Sequence, residues 1–175
     1  MSLDDFVKAL INDGKYFLSE AKDDKDINIK MRYIRASITS FWGSLEGWLN
    51  CVSSDFVLLP ENKLSLNERG FLLEKKLELS SKGEFKISNQ DQYYSTEDKI
   101  LFLLKRFGNY EVSKNSKMWS DFKKIKRLRD ALIHPKSGII DYKNISIKDA
   151  EMTMYSVIYL LKLLTKEIYK RNLRI

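Results

Sequence analysis

The stretch INIKMRYIRASITSFWGSLEGWLNCV, residues 27–52, decides the fold class. Its apolar residues Ile27, Met31, Ile34, Ile38, Phe41, Trp42, Leu45, Leu49 and Val52 recur at three- and four-residue spacing, which on a helix gathers them into one stripe. The segment therefore reads as one long amphipathic helix that must bury that stripe against other elements. Upstream, Phe6, Val7, Leu10, Ile11, Phe17, Leu18 and Ala21 repeat the spacing and predict a helix from Leu3 to about Ala21, closed by the charged break Asp23 to Asp26. Downstream, Pro60 lies beyond the long helix. A third helix is expected over 64–79 on Leu66, Leu73 and Leu77, although Gly70 weakens it. Between Ser80 and Tyr94 the periodicity dissolves into Ser, Gly, Asn and Gln around Phe85 and Ile87, which predicts a loop in preference to a small two-stranded excursion.

Three more helices complete the pattern. Ser95 with Asp98 makes a capping-box start for a fourth, carried by Ile100, Leu101, Leu104 and Phe107 and stopped at Gly108. The fifth spans about Ser116 to Ile133 with Trp119, Phe122, Ile125, Leu128 and Leu132 facing inward. Pro135 and Gly138 break the chain, and Ser146 with Asp149 opens the last helix through Met154, Val157, Leu161, Leu164 and Ile168. No segment alternates with the two-residue period of a strand over a useful length. The expectation is an all-α protein, an antiparallel bundle of about five to six helices forming one domain over residues 1–175.

Composition narrows the function classes. The chain has 175 residues, 43% of them apolar and 12% aromatic, enough for one full core and unlike a disordered chain. Lys and Arg number 31 against 24 acids, so the net charge of +7 favours an anionic partner. Cys51 is the lone cysteine, which leaves no intramolecular disulfide or multi-cysteine metal site and fits a reducing compartment. The start Met1-Ser2-Leu3-Asp4-Asp5 is acidic where a secretory signal is basic. The longest greasy stretch, Val157 to Leu164, is broken by Lys162 and far short of the roughly 20 residues a bilayer needs. A cytoplasmic protein with no membrane partner is the expectation.

The sharp chemical feature is Arg129-Asp130-Ala131-Leu132-Ile133-His134. His134 is the only histidine, the side chain whose ordinary pKa lets it take and give protons near neutrality. Five residues on a straight helix turn through about 140 degrees, too far for Arg129 and His134 to share a face. Pro135 disfavours the helical conformation at the residue before it, which lets His134 leave the helix and turn back toward Arg129. An imidazole and a guanidinium gathered on one phosphodiester divide the labour of RNA cleavage. The histidine deprotonates the ribose 2′-hydroxyl or protonates the departing 5′-oxygen, and the arginine stabilises charge on the phosphate. That chemistry calls for no metal and no cofactor, and the sequence offers no recognisable metal-ligand cluster. The bland alternative is a histidine that merely favours a helix C-terminus while Arg129 stays solvated. A basic run, Lys123, Lys124, Lys126, Arg127 and Arg129, interleaved with Trp119 and Phe122, marks Lys123, Lys126 and Arg127 as candidate RNA contacts, and Lys136 beyond it is a further one. The two aromatics are expected to face inward, and solvated surface charge is the competing reading of the cations.

In this motif the chain resembles the HEPN superfamily, whose pattern is Arg, then Asn, His or Asp, then a short spacer and His on a helical bundle. Residues 129–134 match it position by position, and the long early helix and long closing helix fit the same likeness. The resemblance implies a metal-independent endoribonuclease acting as a homodimer, with two copies of the motif in one cleft, and a toxin or defence effector as its setting. It makes His134 the acid and base, Arg129 the phosphate ligand and Asp130 the polar residue that orients them. Asp130 has an equally ordinary reading as an exposed helix acid paired with Lys126. Glu46, beside the apolar stripe and one turn from Trp42 and Asn50, is a further site candidate because some HEPN relatives set an acidic or polar residue of this helix against the motif. An antitoxin or regulatory protein would be a partner. However, HEPN toxins silenced by a nucleotidyltransferase tend to carry a tyrosine two residues after the histidine. Lys136 stands at that place, which speaks against that control scheme, and Tyr142 does not fit the spacing. The alternatives are a HEPN-like interaction or ligand-binding module without cleavage, and a basic bundle that binds nucleic acid without chemistry.

Overall fold

In the computed structural model, which describes residues 3–133 and 145–174, the long stripe forms α2 (Ile27–Val57). Asp26 starts it by accepting the Asn28 amide at 2.7 Å and the Ile29 amide at 3.3 Å, two of the donors a helix start leaves unpaired. Phe41, Trp42, Leu45, Trp48, Leu49 and Val52 are all buried, and α2 is the axis of the molecule. Burying each such side chain contributes about 1.5–3 kcal/mol, which is why a 31-residue helix persists in water.

Around it pack α1 (Leu3–Asp23), α4 (Thr96–Gly108), α5 (Lys117–Ile133) and α6 (Ile147–Tyr169). The α1–α2 contact is unusually close. A Cβ at Gly14 would stand 2.6 Å from the Phe41 ring, and the Ser37 hydroxyl donates to the Gly14 carbonyl at 2.8 Å. The larger core joins Trp42, Trp48, Leu103, Leu104, Phe122 and Leu161. A smaller cluster, Leu18, Ala21, Ile34, Ile38, Leu128, Ile145 and Ala150, fills the end of the bundle where α5 carries Arg129. The capping boxes expected at Ser95/Asp98 and Ser146/Asp149 are both formed.

The expected helix over 64–79 and the loop over 80–94 need correction. The third helix, α3, covers only Leu66–Leu73, behind a Ser65/Glu68 capping box, and Glu74 ends it in the left-handed region at φ 53°. The chain then enters an antiparallel hairpin, β1 (Lys75–Leu79) and β2 (Phe85–Asp91), with Leu77 opposite Ile87 and Leu79 opposite Phe85. Gly83, at φ 80°, makes the turn. Alternation is confined to five residues of β1, and Leu73 and Leu77 stand four apart, so the strand also satisfies the helical period. The described residues thus form six helices and one two-stranded sheet, a mostly helical bundle with a hairpin added. No described helix is long and apolar enough to cross a membrane.

Candidate functional site

Arg129 projects from the inner side of α5 toward α2. Its guanidinium lies 5.7 Å from the centre of the buried Trp42 ring, near enough for cation–π attraction. One terminal nitrogen donates to both carboxylate oxygens of Glu46, at 3.1 and 3.2 Å, and the other donates to Asp130 at 3.1 Å. The Thr96 hydroxyl, from the first turn of α4, donates to the same Glu46 carboxylate at 3.3 Å and holds it from behind. Residues 83 positions apart in sequence thus meet at one guanidinium.

Burial grades the cluster. The Arg129 side chain is 21% exposed, Glu46 35% and Asp130 47%, so the arginine is the least solvated member and Asp130 the one nearest open water. Reduced exposure lowers the local dielectric, which strengthens each charge interaction that the arginine makes. Arg129 Nε is buried with no hydrogen-bond partner among the described residues. A guanidinium has five N–H donors, and two carboxylates do not use them all.

Other arginines show what a purely structural role looks like in this fold. Arg69 donates to the carbonyls of Val57 and Leu59 at the end of α2, Arg106 donates to the Lys63 carbonyl, and Arg171 to that of Asn172. Arg129 gives no hydrogen bond to a backbone carbonyl among the described residues, and its bonds run to carboxylates alone. The solvated Arg129 of the bland reading is therefore not what the fold contains. Nor does Asp130 pair with Lys126, as its ordinary helical reading expected; it turns to its neighbour Arg129.

His134 and Lys136 lie outside the described residues. What the geometry does establish is that α5 remains helical to Ile133, the residue directly before His134. Of the other candidate RNA contacts, Lys123 forms a short ion pair with Glu97 and sits 5.9 Å from the Trp119 ring centre, while Lys126 stands 3.9 Å from the same Glu97. One acid thus shares two cations. Arg127 is exposed and, with Lys114, Lys124 and Ser120, borders a groove of about 490 Å³ beside Trp119 and Glu97. Trp119 and Phe122 are buried, as expected.

No family model matches the chain, and no curated protein or solved structure matches it.

Two residues that the motif does not name, Trp42 and Thr96, complete the Arg129 cluster, and a third, Glu97, gathers Lys123 and Lys126 on the same helix. Thr96 and Glu97 reach their partners across 50 and 26 residues, and no local pattern encodes such contacts.

Proposed function

We propose that this chain is a metal-independent endoribonuclease of HEPN type, acting as a homodimer and serving as a toxin or defence effector. The observation that carries the reading is the anchoring of Arg129. A half-buried guanidinium, fixed by Glu46, Asp130 and Trp42, sits on the helix that leads straight into the only histidine.

The chemistry follows from the two side chains. The ribose 2′-oxygen attacks the adjacent phosphorus while His134 accepts its proton; the bond from phosphorus to the 5′-oxygen breaks, and that oxygen takes a proton as it leaves. The products are a 2′,3′-cyclic phosphate and a 5′-hydroxyl. Arg129 donates hydrogen bonds to the non-bridging oxygens, where negative charge grows in the transition state. Asp130, the more exposed of its two carboxylate partners, is the one a phosphate displaces, while Glu46, backed by Thr96, keeps the guanidinium in place. A second copy of the motif supplies the remaining proton-transfer group of the cleft.

A second reading, a HEPN-like module that binds without cutting, draws on the same clasp as a fixed contact that ties α5 to α2. RNA digestion in EDTA separates the two. Cyclic-phosphate product from the native protein, lost in both His134→Ala and Arg129→Ala with the fold retained, supports the nuclease. RNA held without such product assigns the binding module, and unchanged cleavage in either variant removes the catalytic assignment.

A further inference from the structure

The outer face of α6 presents a pattern that the motif does not use. Successive side chains on a helix turn by about 100 degrees, so Lys148, Tyr155, Tyr159, Lys162 and Lys166 fall within about 40 degrees of one line. All five are exposed, with Tyr155 at 67% and Tyr159 at 56%, one helical turn apart. The acids of α6 are engaged elsewhere: Asp149 caps the helix, Glu151 pairs with Lys22 and Glu167 with Lys170. Lys162 and Lys166 have no ion pair among the described residues.

Two troughs flank the tyrosines. One, of about 360 Å³, is walled by Lys117, Met118 and Asp121 of α5 against Tyr155 and Tyr159. The other, of about 500 Å³, runs from Tyr159 past Lys162 and Lys166 to Asn172 and Leu173. Tyr159 lines both, so the two troughs meet at its ring and follow one another along the helix. Among the described residues, Asp121 is the only carboxylate lining this path of two troughs, against Lys117, Lys162 and Lys166.

We propose that this path binds single-stranded RNA, with Tyr155 and Tyr159 as stacking surfaces for two bases and Lys117, Lys162 and Lys166 as phosphate contacts. The charge argument selects a polyanion. The paired rings then select one whose bases are unpaired, because a duplex offers no base faces to stack upon. From Tyr155 to Lys166 the helix rises about 16 Å, the span of four to five stacked nucleotides and within the range of known single-strand sites. The choice of RNA over single-stranded DNA rests on the proposed nuclease function; stacking and charge do not.

Fluorescence anisotropy of the full chain with a labelled 2′-O-methyl oligoadenylate of about twelve nucleotides tests the proposal. This probe has no free 2′-hydroxyl to attack its own backbone, so binding is read apart from cleavage. Tyr155→Ala with Tyr159→Ala should weaken binding about 30-fold or more, since each lost stack is worth at least about 1 kcal/mol. Tyr155→Phe with Tyr159→Phe should stay within about 3-fold, because the rings remain. Lys162→Gln with Lys166→Gln should lower the salt slope by about 1.4. Stripe-dependent binding without any cleavage of ordinary RNA would overturn the nuclease reading alone. Cleavage with binding indifferent to the alanine pair, an equal loss in the phenylalanine pair, or conversion of a dimer to a monomer by the alanine pair would overturn the RNA path.

Discussion

The inner side of α5 and the outer stripe of α6 both carry cations, but the fold treats them in opposite ways. On α5, Arg129 is held by Glu46 and Asp130, and Lys123 and Lys126 share Glu97. On α6, Lys162 and Lys166 stand beside exposed tyrosines with their charges uncompensated among the described residues. A clasped guanidinium loses long-range attraction but gains a fixed plane, which is what stabilising a transition state requires. An uncompensated ammonium on a mobile stem gives little orientation but full attraction to a polyanion. The contrast separates a place suited to chemistry from a place suited to capture.

The contrast breaks most sharply at Arg129. Arg129→Ala should lower RNA cleavage in EDTA by about 100- to 1,000-fold, the cost of removing one transition-state donor. Arg129→Lys should recover little, because a point charge lacks the planar fork. Arg171→Gln, which removes an arginine clasped by Asp4 at 2.8 and 3.0 Å far from the motif in sequence, should leave the cleavage rate unchanged. An equal loss in both would mean that arginine clasps in this protein serve only the fold.

Glu46→Ala comes next. It leaves a half-buried guanidinium with one carboxylate instead of two, and should cost about 1–2 kcal/mol of stability, between the values for exposed and buried pairs. Urea denaturation measures it, and Glu46→Gln, which keeps one acceptor oxygen, should recover about half. If Glu46 positions Arg129, kcat falls more than KM rises; a purely structural glutamate would change neither once the folded fraction is corrected for.

Smaller still is the effect of releasing α5's lysines. Glu97→Gln should unclasp Lys123 and Lys126, tighten RNA binding several-fold at low salt and steepen the salt slope by up to about 1.4. No change would place both lysines outside the RNA path and leave Arg127 and the α6 stripe as the basic contacts. The same variant makes the two faces more alike, so it measures how much of the difference between them is due to one acid.

How much of this could be read in advance differs by region. The helical period needs several turns to be visible, and α1, α2, α4, α5 and α6 supply them; their observed ends fall within a few residues of those expected, apart from α2, which runs on to Val57. The Ser-to-acid spacing at Ser95/Asp98 and Ser146/Asp149 located two starts because a capping box is a local contact. Ser65/Glu68 carries the same signal and would have set the start of α3; its end was hidden, because Glu74 in a left-handed conformation follows from tertiary packing rather than residue type. Within the site, Arg129 and Asp130 were legible as candidates through the motif, and Glu46 only through the resemblance. That Trp42 lies under the guanidinium, or that Glu97 holds two lysines, is set by helix packing and has no trace in spacing.

The weakest expected effect sets a baseline for the clasps. The Arg171 guanidinium hydrogen-bonded to Asp4 holds that carboxyl below the ordinary aspartate value, against the opposing pull of desolvation. The Ser65 backbone amide in the capping box, with Arg106 beside it, lowers Glu68 in the same way. A carboxyl depressed in the folded state contributes stability that is complete above its unfolded pKa and is lost as pH falls through the folded one. Both contributions are therefore whole at neutral pH and should fade only below about pH 4. Urea midpoints should accordingly stay level from pH 7 to about pH 5 and then drop, and Asp4→Asn should flatten part of that drop. Because Asp4 is tied to a clasp with no place in the proposed chemistry, Asp4→Asn should leave RNA cleavage at neutral pH unchanged. A cleavage loss in Asp4→Asn comparable to that of Glu46→Ala would show that clasp stability alone, rather than the orientation of Arg129, limits the reaction.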